Sequence, residues 1–202
     1  MSLGVTVAAM AALVLGGEEG PGWKPEGVHQ GVKVESRQRP GTQVMEVRAV
    51  GTLDAPPEAV WKVITEVDRY PATMPHVSFA RLLKQEGPAV RHWYLVVNPP
   101  VVSNRDYAIR METQVSSSRW RAQWTTSPLA PAPHEGNVRI TQNEGFWELE
   151  PREGGKTQVT YYVWVDPAGR VPNFLANKAN RDAIPDLFRA VERHAQGLGT
   201  AR

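Results

Sequence analysis

Between residues 31 and 166, apart from one segment that follows Asp54, apolar and polar side chains alternate with a period of two, and turn-forming residues interrupt this pattern at short intervals. Within it, for example, Val47 and Ala49 flank Arg48. A period of two places successive side chains on opposite faces of an extended chain, so that one face of each strand is apolar. Most of the chain is therefore predicted to form antiparallel strands joined by short turns.

The predicted strands are separated by turn signals such as Gly87-Pro88 and Gly154-Gly155. Ahead of them, residues 18–25 are rich in glycine and proline and are expected to form a linker. Two early strands are expected at residues 32–34 and 45–53, and six more at residues 77–84, 90–97, 106–115, 120–126, 137–150 and 157–166.

Two segments instead repeat apolar residues at helical spacing. A short helix should follow Asp54, which can cap its first turn, and should run to about Val67. A longer helix is expected near the end of the chain, where Ile184 and Leu187 share an apolar stripe and Pro185 should kink or restart it. This pattern indicates an α+β fold in which the late helix covers the apolar face of a curved sheet. Such an arrangement tends to enclose a ligand cavity.

The composition argues against several classes of protein. With 23 Lys and Arg against 21 Asp and Glu, the net charge of +2 is too small to indicate a nucleic-acid-binding protein. The chain has no cysteine, which removes disulfides, thiolate nucleophiles and cysteine-ligated metals. Its five histidines never recur at the spacing of a helical metal site. Phosphate-binding glycine loops and the serine nucleophile elbow are also missing, so we predict no metal, no cofactor and no catalytic residue.

Residues 1–22 are distinct from the domain that follows them. Residues 5–15 are apolar and uncharged, but a membrane-spanning helix takes about 20 residues. The length fits the hydrophobic region of a signal peptide, although no Lys or Arg precedes it; the alternative is a helix packed on the domain. If residues 1–17 act as a signal peptide, the protein is periplasmic or secreted, and otherwise it is cytoplasmic.

Four segments carry a recognisable pattern: WKPEGV at residues 23–28, GTLDAPPEAVW at 51–61, DRYPATMP at 68–75 and PPVVSNRDY at 99–107. The last is the most specific, because its NRDY motif follows a double-proline turn and opens a predicted strand. Taken in this order, the segments resemble the StAR-related lipid transfer (START) domain family, within the helix-grip superfamily. The resemblance extends from residue 23 to the end of the chain.

This resemblance implies a START-like domain over residues 23–202, in which a curved antiparallel sheet grips a long C-terminal helix around an internal hydrophobic cavity. It also implies a non-enzymatic protein that binds and transfers a lipid or sterol. Some family members place a buried acid and a buried arginine in the cavity, and the corresponding positions here fall near His92 and at Met111. We therefore expect no charged pair, which favours a mainly hydrophobic ligand.

Strand periodicity places Tyr107 and Met111 on the same face as Arg105. The adjacent Arg105 and Asp106 need separate partners, and they either pin the preceding turn or contact the ligand. His92 is either a ligand contact or a structural histidine, and the strand tryptophans either line the cavity or pack in the core. The residues expected at the ligand are His92, Tyr107, Met111, Trp124, Trp147, Phe174, Leu175, Ile184 and Leu187, of which the last four close the tunnel.

Two functional hypotheses follow from these residues. The first is a lipid-binding and transfer protein, and the alternative is a polyketide cyclase or aromatase that uses His92, Tyr94 or Asp106 for acid–base chemistry. A weaker third hypothesis is a small-molecule sensor whose late helix contacts a partner protein. The shortage of converging catalytic groups favours the first hypothesis.

The late helix also carries basic residues beside its apolar stripe. Lys178, Arg181 and Arg189 are expected to give it transient contact with an anionic membrane surface. The alternative is an ordinary solvated outer face of the helix.

Overall fold

The computed structural model describes residues 22–100, 102–169 and 171–199. The expectations for the N-terminal segment, whether signal peptide or packed helix, concern residues that lie outside this part of the chain. Within the described part, no helix is both long enough and apolar enough to cross a membrane.

A single mixed sheet dominates the structure and follows the order β1-β2-β3-β10-β9-β7-β6-β5-β4. All pairs along this path are antiparallel, and the short β8 pairs in parallel with the start of β6. The sheet is therefore open, with β1 and β4 as its two edges. The strands are β1 (Lys24–His29), β2 (Val32–Gln38), β3 (Met45–Leu53), β4 (Val77–Glu86), β5 (Val90–Val97), β6 (Arg105–Val115), β7 (Trp120–Thr126), β8 (Val138–Arg139), β9 (Gln142–Arg152) and β10 (Lys156–Asp166).

The helices are α1 (Pro57–Thr65), α2 (Tyr70–Thr73) and α3 (Asn173–Gly199), with a 3-10 turn at Val67–Arg69 between the first two. The expectation that Asp54 caps α1 is wrong, because α1 begins after Pro56 and the Asp54 carboxylate pairs with Lys156 at 2.7 Å. Helix α3 continues through Pro185 rather than restarting there.

We call the sheet face that packs on α1 and α3 the concave face, and the opposite one the convex face. Gly51 on β3 lets the concave face approach α3 closely, since a Cβ atom at this position would lie 3.1 Å from the ring of Phe188. The same ring lies 5.9 Å from the ring of Trp147 on β9, measured between centroids. Ile184, Phe188 and Val191, in the C-terminal half of α3, are all buried in the core. The predicted α+β helix-grip architecture is confirmed.

Two strand predictions differ from the structure. Residues 18–25 were expected to be a linker, but β1 begins at Lys24 and pairs with β2. An exposed edge strand needs no apolar alternation and tolerates Pro25 and Gly27, so it carries no period-two signal. The single strand expected over residues 137–150 is divided into β8 and β9.

Candidate ligand site on the concave face

Four of the residues expected at the ligand lie on the concave face. In the antiparallel register, Met111 on β6 is opposite Trp124 on β7, and Trp124 is opposite Gly145 on β9. Trp147 is opposite Ala122 in the same way. Residues directly opposite one another share a face of the sheet. The periodicity also puts Tyr107 on the face of Met111, so the expected grouping of these side chains is confirmed, while their contact with a ligand stays a prediction.

The indole of Trp124 lies across β9 at the one position where the neighbouring strand has no side chain. A Cβ atom at Gly145 would overlap both this indole and the main-chain oxygen of Tyr162. The Nε1–H of Trp124 donates to Oδ1 of Asn143 at 2.9 Å, which fixes the orientation of the ring. The aromatic lining of the concave face therefore depends on a glycine.

Tyr107 and Tyr161 are only partly covered, although they lie on the concave face. Burial raises the pKa of Tyr107 to about 12 and also raises the pKa of Tyr161. Both side chains pack against the core yet keep some accessible surface, and neither hydroxyl has a hydrogen-bond partner among the described residues. The ring of Tyr161 lies 4.3 Å from that of Trp147, so this accessible surface adjoins the aromatic lining.

The structure places His92 on the convex face. His92 on β5 is opposite Arg110, whereas Arg91 is opposite Met111. The expectation that His92 and Met111 face the same cavity is therefore wrong. Nδ1 of His92 lies 2.7 Å from Oγ of Ser127, and the side chain is buried beneath the segment that follows β7.

Asp106 is the centre of a second convex-face cluster. Its carboxylate receives hydrogen bonds from the guanidinium of Arg139, from the Tyr94 hydroxyl at 2.9 Å and from the main-chain N–H of His134 at 3.0 Å. Burial alone would raise the pKa of Asp106, but these donors, Arg139 first, hold it below its ordinary value. His92, Tyr94 and Asp106, the residues named for the cyclase alternative, therefore all lie on the convex face, and none is on the face that packs on α3.

Arg105 begins β6 on the concave side and is 4% exposed. Its Nη1 donates to the main-chain oxygen of Ser103, and its Nε donates to that of Pro167 at 3.3 Å. The first bond pins the turn before β6, which is one of the two roles predicted for Arg105, the other being contact with the ligand. The second joins the start of β6 to the segment that leads from β10 to α3.

The four α3 residues expected to close the tunnel fall into two groups. Ile184 is buried in the core and Leu187 packs against it. Phe174 and Leu175, in the first turn of α3, are 71% and 45% exposed, so the closing role expected of them is not seen. In the described part of the chain, no three His, Asp or Glu side chains lie close enough together to hold a metal ion.

Comparison with known proteins gives one family and several similar structures. The profile of the family described as "Polyketide cyclase / dehydrase and lipid transport" matches residues 53–192. An uncharacterized protein of Pseudomonas aeruginosa is 28% identical over 196 residues, which are 96% of this chain and 97% of that protein.

Three solved structures indicate the range of proteins with this fold. A STAR-related lipid transfer protein fragment from Xanthomonas axonopodis has a TM-score of 0.78 and 26% identity, over 87% of this chain and 99% of that one. Human StAR-related lipid transfer protein 5 has a TM-score of 0.81 at 17% identity, over 89% and 88% of the two chains. The Zhui aromatase/cyclase from Streptomyces is less similar, with a TM-score of 0.54 at 17% identity, over 78% and 94%.

The family profile covers most of the chain and includes β4 to β10, α1 and most of α3. The START-like structures share the open sheet and the late helix found here. The resemblance seen in the sequence is therefore confirmed, and the chain belongs to the polyketide cyclase/dehydrase and lipid transport family.

Proposed function

We propose that this protein binds a lipid or sterol-like molecule between the concave face and α3 and transfers it between membranes. The observation that carries the proposal is the aromatic and apolar lining of the concave face, where the partly accessible Tyr107 and Tyr161 share a face with Met111, Trp124 and Trp147. Burying apolar ligand surface there contributes roughly 25 cal/mol per Å². The names of the similar lipid transfer proteins support the same function.

The residues of the sheet give less support to the alternative of an enzyme. Tyr107, with a pKa of about 12, stays protonated near neutral pH and is a poor general base. The carboxylate proposed for this chemistry, Asp106, is held on the convex face by Arg139. We therefore propose binding without turnover.

Native mass spectrometry of the purified protein after exposure to a total lipid extract tests this function. We expect one or a few retained lipid masses that organic solvent releases. A folded protein that retains no lipid would overturn the proposal, and turnover of a polyketide-like ketone without retention would establish the cyclase alternative.

Met111→Asp is expected to abolish lipid uptake, because an unpaired carboxylate in an apolar site costs several kcal/mol unless it is protonated. The matched control is Thr125→Asp, which adds the same charge on the exposed face of the neighbouring strand. Lipid retention by native mass spectrometry and folding by circular dichroism are measured on both variants. Normal folding with unchanged uptake in Met111→Asp would remove this residue from the site.

We also propose that the first turn of α3 contacts the membrane during transfer. The basic residues on which the sequence prediction relied are each paired with an acid: Lys178 with Asp182, Arg181 with Glu26, and Arg189 with Asp186. These pairs reduce their attraction for anionic lipid. The exposed Phe174 and Leu175 supply apolar surface instead, in the first turn of α3.

Phe174→Ser with Leu175→Ser should slow lipid transfer between vesicles several-fold while leaving equilibrium binding unchanged, because only membrane contact is weakened. Transfer of a fluorescent lipid between donor and acceptor vesicles measures the rate. Val28→Ser with Val115→Ser is the matched control, since both valines are exposed and lie outside α3. Equal transfer rates for the two double variants would exclude a membrane role for the first turn of α3.

A further inference from the structure

Arg105 is a buried cation without a carboxylate partner among the described residues. Among the described residues, its hydrogen bonds reach only the main-chain oxygens of Ser103 and Pro167, and its Nη2 makes none. Main-chain dipoles compensate a full charge poorly, and an unpaired buried ion is strongly destabilising. The position therefore has an electrostatic deficit that an anion would relieve.

Other arginines of the same sheet are arranged differently. Arg139 is paired with Asp106, and Arg48 donates two hydrogen bonds to Glu35. The pKa of Arg139 is raised, with its hydrogen bond to Asp106 as the main cause, whereas burial lowers the pKa of Arg105 and no acid opposes that effect. Of the three arginines Arg48, Arg105 and Arg139, only Arg105 is buried without a carboxylate partner among the described residues.

The side chains near Arg105 on the concave face are also hydrogen-bond donors. Tyr107 is two residues further along β6 and points to the same side, with its hydroxyl unpartnered in the described structure. A head group that satisfies the donors of Arg105 and Tyr107 must bring acceptor oxygens.

We propose that Arg105, together with the Tyr107 hydroxyl, seats an anionic head group, a carboxylate or a phosphate, and that the apolar chain of the same ligand runs on from Tyr107 towards Met111 and Trp124. The proposal rests on the function proposed above and names the class of lipid, an anionic amphiphile. The guanidinium is suited to this role because it donates two parallel hydrogen bonds to a carboxylate or phosphate. The head group would occupy the start of β6, beside the segment that leads into α3.

Three probes with the same chain and different head groups test the proposal: oleate, oleyl phosphate and oleyl alcohol. We expect the parent protein to bind at least one of the anions roughly tenfold more tightly than the alcohol, as measured by fluorescence displacement or calorimetry. Arg105→Gln should remove this preference while alcohol binding is retained, and Arg105→Lys should keep part of it. Arg110→Gln is the matched control, because it removes a positive charge from the convex face of the same strand.

The outcomes separate this proposal from the proposed function. Equal affinity of the parent for all three probes would overturn the head-group role and leave lipid binding intact, whereas failure to bind any probe would count against lipid binding itself. A uniform loss of affinity in Arg105→Gln would mean that Arg105 only pins the segments at Ser103 and Pro167. A preference for one anion over the other identifies the head group as carboxylate or phosphate. If Arg105→Gln does not fold, the test relies on two other measurements: the preference of the parent protein for an anion over oleyl alcohol, and the part of that preference that Arg105→Lys keeps.

Discussion

Asp106→Ala should lower the free energy of unfolding by about 3 kcal/mol, because it removes a fully buried carboxylate that pairs with the guanidinium of Arg139, which is 19% exposed. The Tyr94 hydroxyl and the His134 N–H would lose their acceptor as well. Urea denaturation of the purified protein measures the change. Glu112→Ala is the matched control: it removes an acid from the same strand, but its pair with Arg110 is partly exposed and contributes less than about 1 kcal/mol. Equal losses in the two variants would contradict a structural role for the Asp106 cluster.

The same carboxylate predicts how stability depends on pH. The pKa of Asp106 in the folded protein lies below its ordinary value of 3.8, so the unfolded chain binds a proton at higher pH than the folded protein does. The contribution of this group to stability is therefore fully present above about pH 4 and is lost as the pH falls through the folded pKa. Asp106→Asn, which cannot titrate, should show a shallower loss of stability below pH 4 than the parent protein.

Gly145→Ala should lower the free energy of unfolding by about 3 kcal/mol, because the added methyl group overlaps the main-chain oxygen of Tyr162 and the ring of Trp124. Neither can move far, since the oxygen belongs to β10 and the indole is hydrogen-bonded to Asn143. Displacing the indole should also reduce lipid uptake. Thermal unfolding and lipid retention are the measurements. Gly197→Ala on α3, where a Cβ atom meets nothing within 4 Å, is the control, and an unchanged melting temperature in Gly145→Ala would contradict the argument.

Periodicity alone predicted much of the sheet. The strands expected at residues 90–97 and 120–126 coincide with β5 and β7, and the shared face of Tyr107 and Met111 is confirmed. Along a single strand, the side-chain direction depends only on counting residues, so these predictions needed no information from elsewhere in the chain. The late helix was predicted for the same reason, from its apolar stripe.

To predict whether His92 shares a face of the sheet with Met111, the register between β5 and β6 is needed, and counting residues along one strand does not provide it. That register depends on the length and path of the connection between β5 and β6, and a shift of one residue moves every side chain to the other face. Alignment of His92 with a cavity position therefore failed, although both strands were predicted correctly. The register in which Arg91 faces Met111 is a property of the folded sheet.

The sequence predicted only part of the difference between Arg105 and Asp106: that each needs a partner, but not which partner each has. Their adjacency on a strand correctly predicted that each needs its own partner. The partner of Asp106, Arg139, lies 33 residues away, and nothing in its local sequence marks it. That Arg105 has no carboxylate partner among the described residues could be learned only from the folded structure.

The open edges of the sheet bear on whether copies of the protein can pair with one another. A grip that does not close into a barrel leaves β1 and β4 with main-chain groups that another copy could pair with. Both edges carry features that discourage such pairing. The register of β1 is irregular between Pro25 and Gly27, that of β4 is irregular between Leu82 and Lys84, and β4 carries exposed charged side chains such as Arg81. The features that oppose edge-to-edge association therefore lie at the rims of the sheet, apart from the residues that line its concave face.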